Sequence, residues 1–353
     1  MYLAEFYSGT KLLSLNDING NKPEIYACTT NRSGGKTTWF NRHVVKKVIN
    51  NMGKFGLIYR YNYELDNVAD KFFKDVGPLF FPDYYMKSDR RANGIYHELT
   101  LYKGETDKIG TPCGYAITLN SADQIKKMSH FFSDTERMIF DEFQSETNHY
   151  CSDEITKLLS VHKSVARGNG QQRRYVPVYM LSNPVSIINP YYVEWNVAPR
   201  LREDTKFMRG DGWVLEQGWI KGAAEAQEGF GFERAFARNR YTLYANQGIY
   251  LNDNKAFIER PQGKSRYLAT LRYNGSDFAI REFAEEGIIY CDDRPDQSYS
   301  MKICVTTEDH NINYVMLKRN EFFLVNLRYF FDNGCFRFKD LRCKEAALKA
   351  LSY

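Results

Sequence analysis

No two cysteines in this chain are spaced as CxxC. The seven present, Cys28, Cys113, Cys151, Cys291, Cys304, Cys335 and Cys343, are an odd number scattered over 353 residues. Neither a zinc ribbon nor a disulfide framework is signalled, and a reducing compartment is expected. No run approaches 18 consecutive apolar residues, so no membrane-spanning helix is expected. The opening MYLAEFYSGTKLLSLND holds no apolar stretch of signal-peptide length, which points to the cytoplasm. Charge of one sign is not in excess: the net charge is +5, with 25 basic and 21 acidic side chains over residues 1–200 and 23 and 22 over 201–353. That balance excludes a polybasic tail in either half. Internal repeats and low-complexity segments are also lacking, which excludes a solenoid.

What is present is a 43% hydrophobic content with 26 Tyr and 24 Phe. The chain can bury a core and is long enough for two domains. Two stretches are locally basic. Residues 155–193 carry Lys157, Lys163, Arg167, Arg173 and Arg174 and no acid, and residues 310–353 carry eight basic side chains against four acidic. Each is a candidate phosphate-facing surface, and equally an ordinary solvated face.

Strand and helix patterns alternate over the first 200 residues. Residues 24–29 (EIYACT) read as a buried strand. Residues 36–51 read as a helix, with Phe40, Val44 and Val48 on one face. A second strand over 55–60 and a second helix over 64–76 follow, then β-hairpins over 94–119. A buried strand is expected at 137–140, a helix over 152–167 with Ser152 as N-cap, and a strand over 175–182. Alternation of this kind predicts a mostly parallel sheet flanked by helices, an α/β domain. We place that domain at 1–198. Residues 210–231 hold six glycines, so 199–240 reads as a linker or lid. Residues 241–353 form a second, smaller α/β domain, with strands at 265–273, 278–283 and 287–291 and helices at 320–331 and 339–351.

The sharpest local motif is Thr30-Asn31-Arg32-Ser33-Gly34-Gly35-Lys36-Thr37, between the first strand and the first helix. The P-loop pattern is GxxxxGK[ST]. Gly34 and Gly35 let backbone N–H groups turn toward phosphate oxygens, and the helix start adds its positive dipole end. Lys36 would reach the β- and γ-phosphates of ATP, and the Thr37 hydroxyl would ligate Mg²⁺. Thr30 stands where the pattern has its first glycine. The bland alternative is a glycine-rich turn capped by a helix; the strand before and helix after argue against it.

A second motif, Met138-Ile139-Phe140-Asp141-Glu142, is a buried strand ending in two acids, as a Walker B site requires. Asp141 would hold Mg²⁺ through water and Glu142 would act as general base on the attacking water. Ser182-Asn183 closes the next strand and could sense the γ-phosphate, although Asn183-Pro184 is also a turn-starting pair. Arg167, before Gly168-Asn169-Gly170, could reach a neighbouring subunit's nucleotide as an arginine finger, a contribution of about 10³–10⁵ in rate. Arg173 and Arg174 compete for that role.

The series TNRSGGKTT, LIYRYNYEL, RMIFDEF, ITKLLSVHKSVARGNG and MLSNPVSIINPYY resembles the DNA encapsidation ATPases of small podoviruses, relatives of the large terminases. The likeness spans nearly the whole chain and is strongest over residues 25–195. It implies an N-terminal ASCE-type P-loop ATPase domain and a C-terminal RNase H-like domain without nuclease activity. It further implies a homomeric ring, a pentamer, at the portal (connector) vertex of an empty capsid in the host cytoplasm, which pumps double-stranded DNA inward with ATP and Mg²⁺. A structural packaging RNA is a further implied partner. The resemblance assigns Lys36, Thr37 and the neighbouring Thr38 to the P-loop, Asp141 and Glu142 to Walker B, Arg167 to the trans-acting arginine and Asn183 to a sensor position. Arg32 matches the arginine inside a terminase-like P-loop, and Arg60 matches an arginine at the end of the second strand, placed with the nucleotide-binding set.

In the second domain, the strand Tyr267-Leu268-Ala269-Thr270-Leu271-Arg272-Tyr273 carries no acid, and Asp292-Asp293 precede Arg294-Pro295 as in a turn. Two-metal cleavage needs converging carboxylates, so no nicking of DNA is expected. Binding is still open to Lys318, Arg319, Arg328, Arg337, Lys339, Arg342 and Lys344, which could meet DNA, portal or RNA. The alternatives are another P-loop ring ATPase acting on DNA, or a nucleotide-switched protein attaching DNA or RNA to a capsid. DNA-stimulated turnover separates the motor from the switch.

Overall fold

In the computed structural model the described residues are 6–197 apart from 148, 169, 187 and 188, 205–220 apart from 219, then 231, 235, 258–317 and 321–351. They fall into two units, one up to Trp195 together with 205–220, 231 and 235, the other 196–197 and from 258 onward.

Strand β1 (Ile25–Thr30) is buried at every position after the first. A strand covered on both faces shows no polar alternation, as in a parallel sheet between helices. With it, among the described residues, run β2 (Lys54–Tyr59), β3 (Tyr84–Arg91), β4 (Tyr96–Lys103), β5 (Thr111–Thr118), β6 (Thr135–Asp141), β7 (Val178–Ser182), β8 (Phe207–Gly210) and β9 (Trp213–Gly218). Their order in one sheet is β3-β4-β5-β2-β6-β7-β1-β9-β8. From β5 to β9 every neighbouring pair is parallel. The antiparallel additions are β3-β4-β5 at one edge and β8 at the other. The last residues of β1, β6 and β7 therefore share one edge, where open α/β sheets bind ligands. The helix Lys36–Ile49 lays Phe40, Val44, Val45 and Val48 into the core.

Several expectations are corrected. The helix expected over 64–76 is instead a 3₁₀ turn, Asn62–Leu65, and a short helix, Val68–Phe73. The Glu64 carboxylate folds back onto the N–H groups of Arg60 (2.9 Å) and Tyr61 (2.6 Å), and Asn67 takes a left-handed φ of 54°. The hairpins expected over 94–119 are the last two strands of a three-stranded meander that begins with β3. Ser152 is not an N-cap: Asp153 precedes the helix Glu154–Val165, and the Glu154 carboxylate takes the Cys151 N–H at 2.9 Å. Part of the stretch expected to be a linker supplies β8 and β9, whose Trp213–Glu216 are buried beside β1. Gly212 (φ 75°) makes the hairpin turn between them. Much of the rest of 199–240 lies outside the described residues.

The second unit has β10 (Arg266–Tyr273), β11 (Ser276–Phe283), β12 (Ile288–Asp292), β13 (Lys302–Cys304), β14 (Val315–Met316) and β15 (Phe336–Phe338), ordered β14-β13-β10-β11-β12-β15. β10 to β12 are an antiparallel meander, and β13 and β14 add parallel to β10. That is the strand order of an RNase H-like sheet, with β15 as an extra edge. Leu324 and Leu327 of the helix Glu321–Asp332, and Cys343, Ala346, Ala347 and Ala350 of the helix Leu341–Leu351, close its core. Among the described residues no helix is long and apolar enough to cross a membrane.

Candidate nucleotide-binding site

β1 ends at Thr30 and the helix starts at Lys36, so the turn between them is Asn31–Gly35. Ser33 (φ 59°) and Gly35 (φ 85°) are left-handed, which turns successive N–H groups to one side as an anion nest. Gly35 meets this at no cost because it lacks a Cβ. Gly34 lies close against Ile220: a Cβ there would lie 2.5 Å from Ile220 Cδ1, so that side chain would have to turn aside. The Asn31 side chain locks the same approach, donating to the Ile220 carbonyl (3.2 Å) and accepting its N–H (2.8 Å). Thr30, in place of the pattern's first glycine, is the last residue of β1 and pairs with Gly218 in extended backbone, where no glycine is required.

One cavity collects the motifs. Arg32, Ser33, Lys36 and Thr37 line it from the turn, Asp141 and Glu142 from the end of β6, and Ser182 and Asn183 from the end of β7. Lys36 Nζ donates to Asn183 Oδ1 at 2.7 Å. Burial pushes the Lys36 ammonium below its ordinary value, against the pull of Asp141. Burial pushes Asp141 up, while Lys36 and a hydrogen bond from Thr37 hold it down. Glu142 is raised by burial and by its neighbours Asp141 and Glu146, against Arg32 and Arg60. Glu146 carries no signal in the sequence, yet its Oε1 accepts from Arg32 Nη2 (2.6 Å) and from Asn183 Nδ2 (3.3 Å).

These donors fit a triphosphate with a hard cation. Lys36, Arg32 and the nest supply positive ends to phosphate. The Thr37 hydroxyl and Asp141, which line the same cavity, would supply the oxygen ligands that Mg²⁺ takes. The cation would neutralise phosphate charge, Lys36 would orient the phosphates, and Glu142 could take a proton from water.

Arg60 does not belong to the phosphate-facing set. Its guanidinium is turned to Glu154 (Nε 3.0 Å, Nη2 2.9 Å) and to the carbonyls of Glu142 (2.7 Å) and Phe143 (2.6 Å). Thr38, in the first helical turn, does not line the cavity either. Arg167 is exposed and lies at the opposite end of the sheet, lining a cavity with Ile25 and Val178, the first residues of β1 and β7. Of its competitors, exposed Arg173 pairs with Glu24 and lines the same cavity, while buried Arg174 holds the Val165 (2.9 Å) and Thr135 (3.1 Å) carbonyls.

In the second unit Asp292 pairs with Arg281 (2.8 Å) and Asp293 with Lys339 and Arg342. Among the expected cations, Lys344 is a correction: it is buried, at a position the helix turns inward. Arg328 donates to the Leu351 carbonyl (3.0 Å) and Arg337 to those of Gly334 and Phe336 (2.9 Å each). Lys339 and Arg342 are exposed. Lys318 and Arg319 lie outside the described residues.

A mostly parallel sheet, a lysine-bearing turn at the end of β1 and an acid pair at the end of β6, with β7 between them, define an ASCE-type P-loop ATPase. The chain belongs to the podovirus DNA encapsidation protein (Gp16) family, whose model it matches over residues 1–352. It is 27% identical over 338 residues to the DNA packaging protein of Bacillus phage phi29, covering 94% of this chain and 93% of that one. The DNA packaging protein of Bacillus phage B103 is 25% identical over 311 residues, with 87% and 90% covered. The fold is also that of a chain in the bacteriophage phi29 viral genome packaging motor assembly, with a TM-score of 0.64, 24% identity and 99% of both chains covered. The function is ATP-driven DNA packaging, and ATP hydrolysis with Mg²⁺ follows from membership of the family.

Proposed function

We propose that this chain hydrolyses ATP in the cavity between the P-loop and Asp141-Glu142, and that it does so as one subunit of a ring, five-membered, at the portal vertex of a preformed capsid. The work done is translocation of double-stranded DNA inward, in the host cytoplasm, with a packaging RNA as a further partner where the phage encodes one. In this reading Lys36 and Arg32 bind phosphate and Thr37 and Asp141 bind Mg²⁺. Asn183 senses the γ-phosphate and Glu142 is the base. Arg167 completes the site of the neighbouring subunit. The observation that carries it is the convergence of Lys36, Thr37 and Asp141, from motifs about a hundred residues apart, on one cavity with Glu142 at its rim. DNA and the portal as partners are supported by the family and by its DNA packaging relatives. Cleavage is no part of the reading, since Asp292 and Asp293 are each engaged by cations.

ATP turnover with and without double-stranded DNA and matched empty capsids tests it. Wild type should be stimulated by both. Lys36→Ala should lose turnover and nucleotide binding together. Glu142→Gln should lose turnover, by about 10²-fold or more, and still retain ATP. Turnover by Glu142→Gln at the wild-type rate would remove Glu142 from the role of base.

A further inference from the structure

Arg60 is 7% exposed, and a buried arginine must find partners for nearly all its N–H groups. Four contacts serve it. Nε and Nη2 form a fork on the Glu154 carboxylate, and Nη1 and Nη2 reach the carbonyls of Glu142 and Phe143. Those carbonyls belong to the two residues that follow Asp141. Glu142 has a left-handed φ of 55°, a conformation that a non-glycine residue keeps only where its surroundings hold it. Glu154 is itself 4% exposed and also accepts the Tyr191 hydroxyl (2.7 Å) and the Cys151 N–H (2.9 Å). It is the first residue of the helix Glu154–Val165, whose far end leads directly to Arg167.

We propose that Arg60, seated by Glu154, is the positioning residue of hydrolysis: it fixes the backbone that aims Glu142 and ties that backbone to the helix ending at Arg167. The inference rests on Glu142 being the base. Arg60 touches no phosphate-facing group, so its loss acts on the rate of the chemical step and leaves nucleotide binding in place. A lysine keeps the charge but has no planar fork, and cannot serve two carbonyls and a carboxylate at once.

Full-length Arg60→Lys, Arg60→Gln and Glu142→Gln proteins are compared with wild type for DNA-stimulated ATP turnover, affinity for a fluorescent ATP analogue, and the pH dependence of kcat. Arg60→Lys should lower kcat about 10- to 100-fold, as loss of an orienting contact does, with analogue affinity unchanged and the acid limb of kcat in its wild-type place. Arg60→Gln should lower kcat similarly and also move the acid limb to higher pH. Glu142 faces Asp141 and Glu146 on one side and Lys36, Arg32 and Arg60 on the other, and removing one cation favours its protonated form. Tyr191→Phe deletes one donor to Glu154 and leaves Arg60 intact. It should give a smaller fall in kcat at unchanged affinity, and it serves if the Arg60 variants fail to fold. An Arg60→Lys protein with wild-type kcat beside an inactive Glu142→Gln protein would overturn the inference alone. So would kcat and affinity falling in parallel, the mark of a merely structural arginine. A fully active Glu142→Gln protein would instead overturn the reading of the base.

Discussion

Glu142 stands among charges of both signs, and in the proposed role of base that balance would set where the enzyme works. Burial, Asp141 and Glu146 raise its pKa above the ordinary 4.5, with Arg32 and Arg60 opposing. A general base acts only when deprotonated, so kcat should rise with pH through a limb lying above the usual glutamate value. At the alkaline end Lys36 of the free enzyme, lowered by burial from 10.5, should lose its charge earlier than a free lysine, which closes the profile of kcat/KM. Glu146→Gln removes one anion facing Glu142 and releases Arg32 toward it. Both changes favour the carboxylate, so the acid limb should move to lower pH in a kcat titration. A limb that stays in place or rises would mean that Glu146 does not act on Glu142. The P-loop and the Asp-Glu pair are legible in the sequence because each is local, a turn or a strand end with its chemistry attached. Glu146 is not, because its meaning lies in contacts to Arg32 and Asn183, 114 and 37 positions away. Arg60 shows the converse: the sequence marks the residue but not the direction in which its guanidinium points.

The helix Pro190–Glu194 and its cap Asn189 show what a short element needs in order to persist. The helix Pro190–Glu194 has five residues, far fewer than a helix needs to stand alone in water. It is held by Asn189, whose Oδ1 accepts the Tyr192 N–H (3.0 Å) and whose Nδ2 donates to the Ser186 carbonyl (2.7 Å), with Pro190 pre-set at the first helical position. The buried hydroxyls of Tyr191 and Tyr192 are then placed on Glu154 and Thr29, each at 2.7 Å. Asn189→Ala deletes the cap and removes one donor from the Ser186 carbonyl, so it should lower stability by about 1–2 kcal/mol, read as a fall in the denaturant midpoint. An unchanged midpoint would show that tyrosine burial alone holds the turn. At this scale the parallel strands were readable, since each is a short apolar run next to a turn signal. The broken helix after Arg60 is not, because the break is a matter of backbone conformation: Asp66 is extended (ψ 126°) and Asn67 left-handed (φ 54°) between the 3₁₀ turn and the helix Val68–Phe73. Nor was the β8–β9 hairpin, whose glycines suggest a linker until the partner strand β1 is known.

At the scale of the whole molecule the nucleotide cavity and Arg167 are held apart on the first unit. The nucleotide cavity includes Ser182, the last residue of β7, and Arg167 lines a cavity with Val178, the first. Those strand ends are about 13 Å apart at roughly 3.3 Å per residue. An arginine side chain cannot bridge that gap around the sheet, so Arg167 is of use to hydrolysis only if another copy brings its own cavity to it. Buried Arg174 is held elsewhere, which leaves the exposed Arg167 and Arg173 as the arginines of this basic stretch open to that task, and Arg167 is the one proposed here. In the proposed ring each Arg167→Ala subunit leaves its neighbour's site incomplete while its own ATP binding is intact. Wild-type preparations doped with this variant should therefore lose DNA packaging more steeply than by dilution. If one defective interface stalls a five-membered closed ring, doping at one fifth should leave about one third of the packaging activity, where simple dilution would leave about 0.8. A linear decline with the doped fraction, measured by protection of packaged DNA from added nuclease, would mean that each subunit completes its own site and that Arg167 does not act in trans.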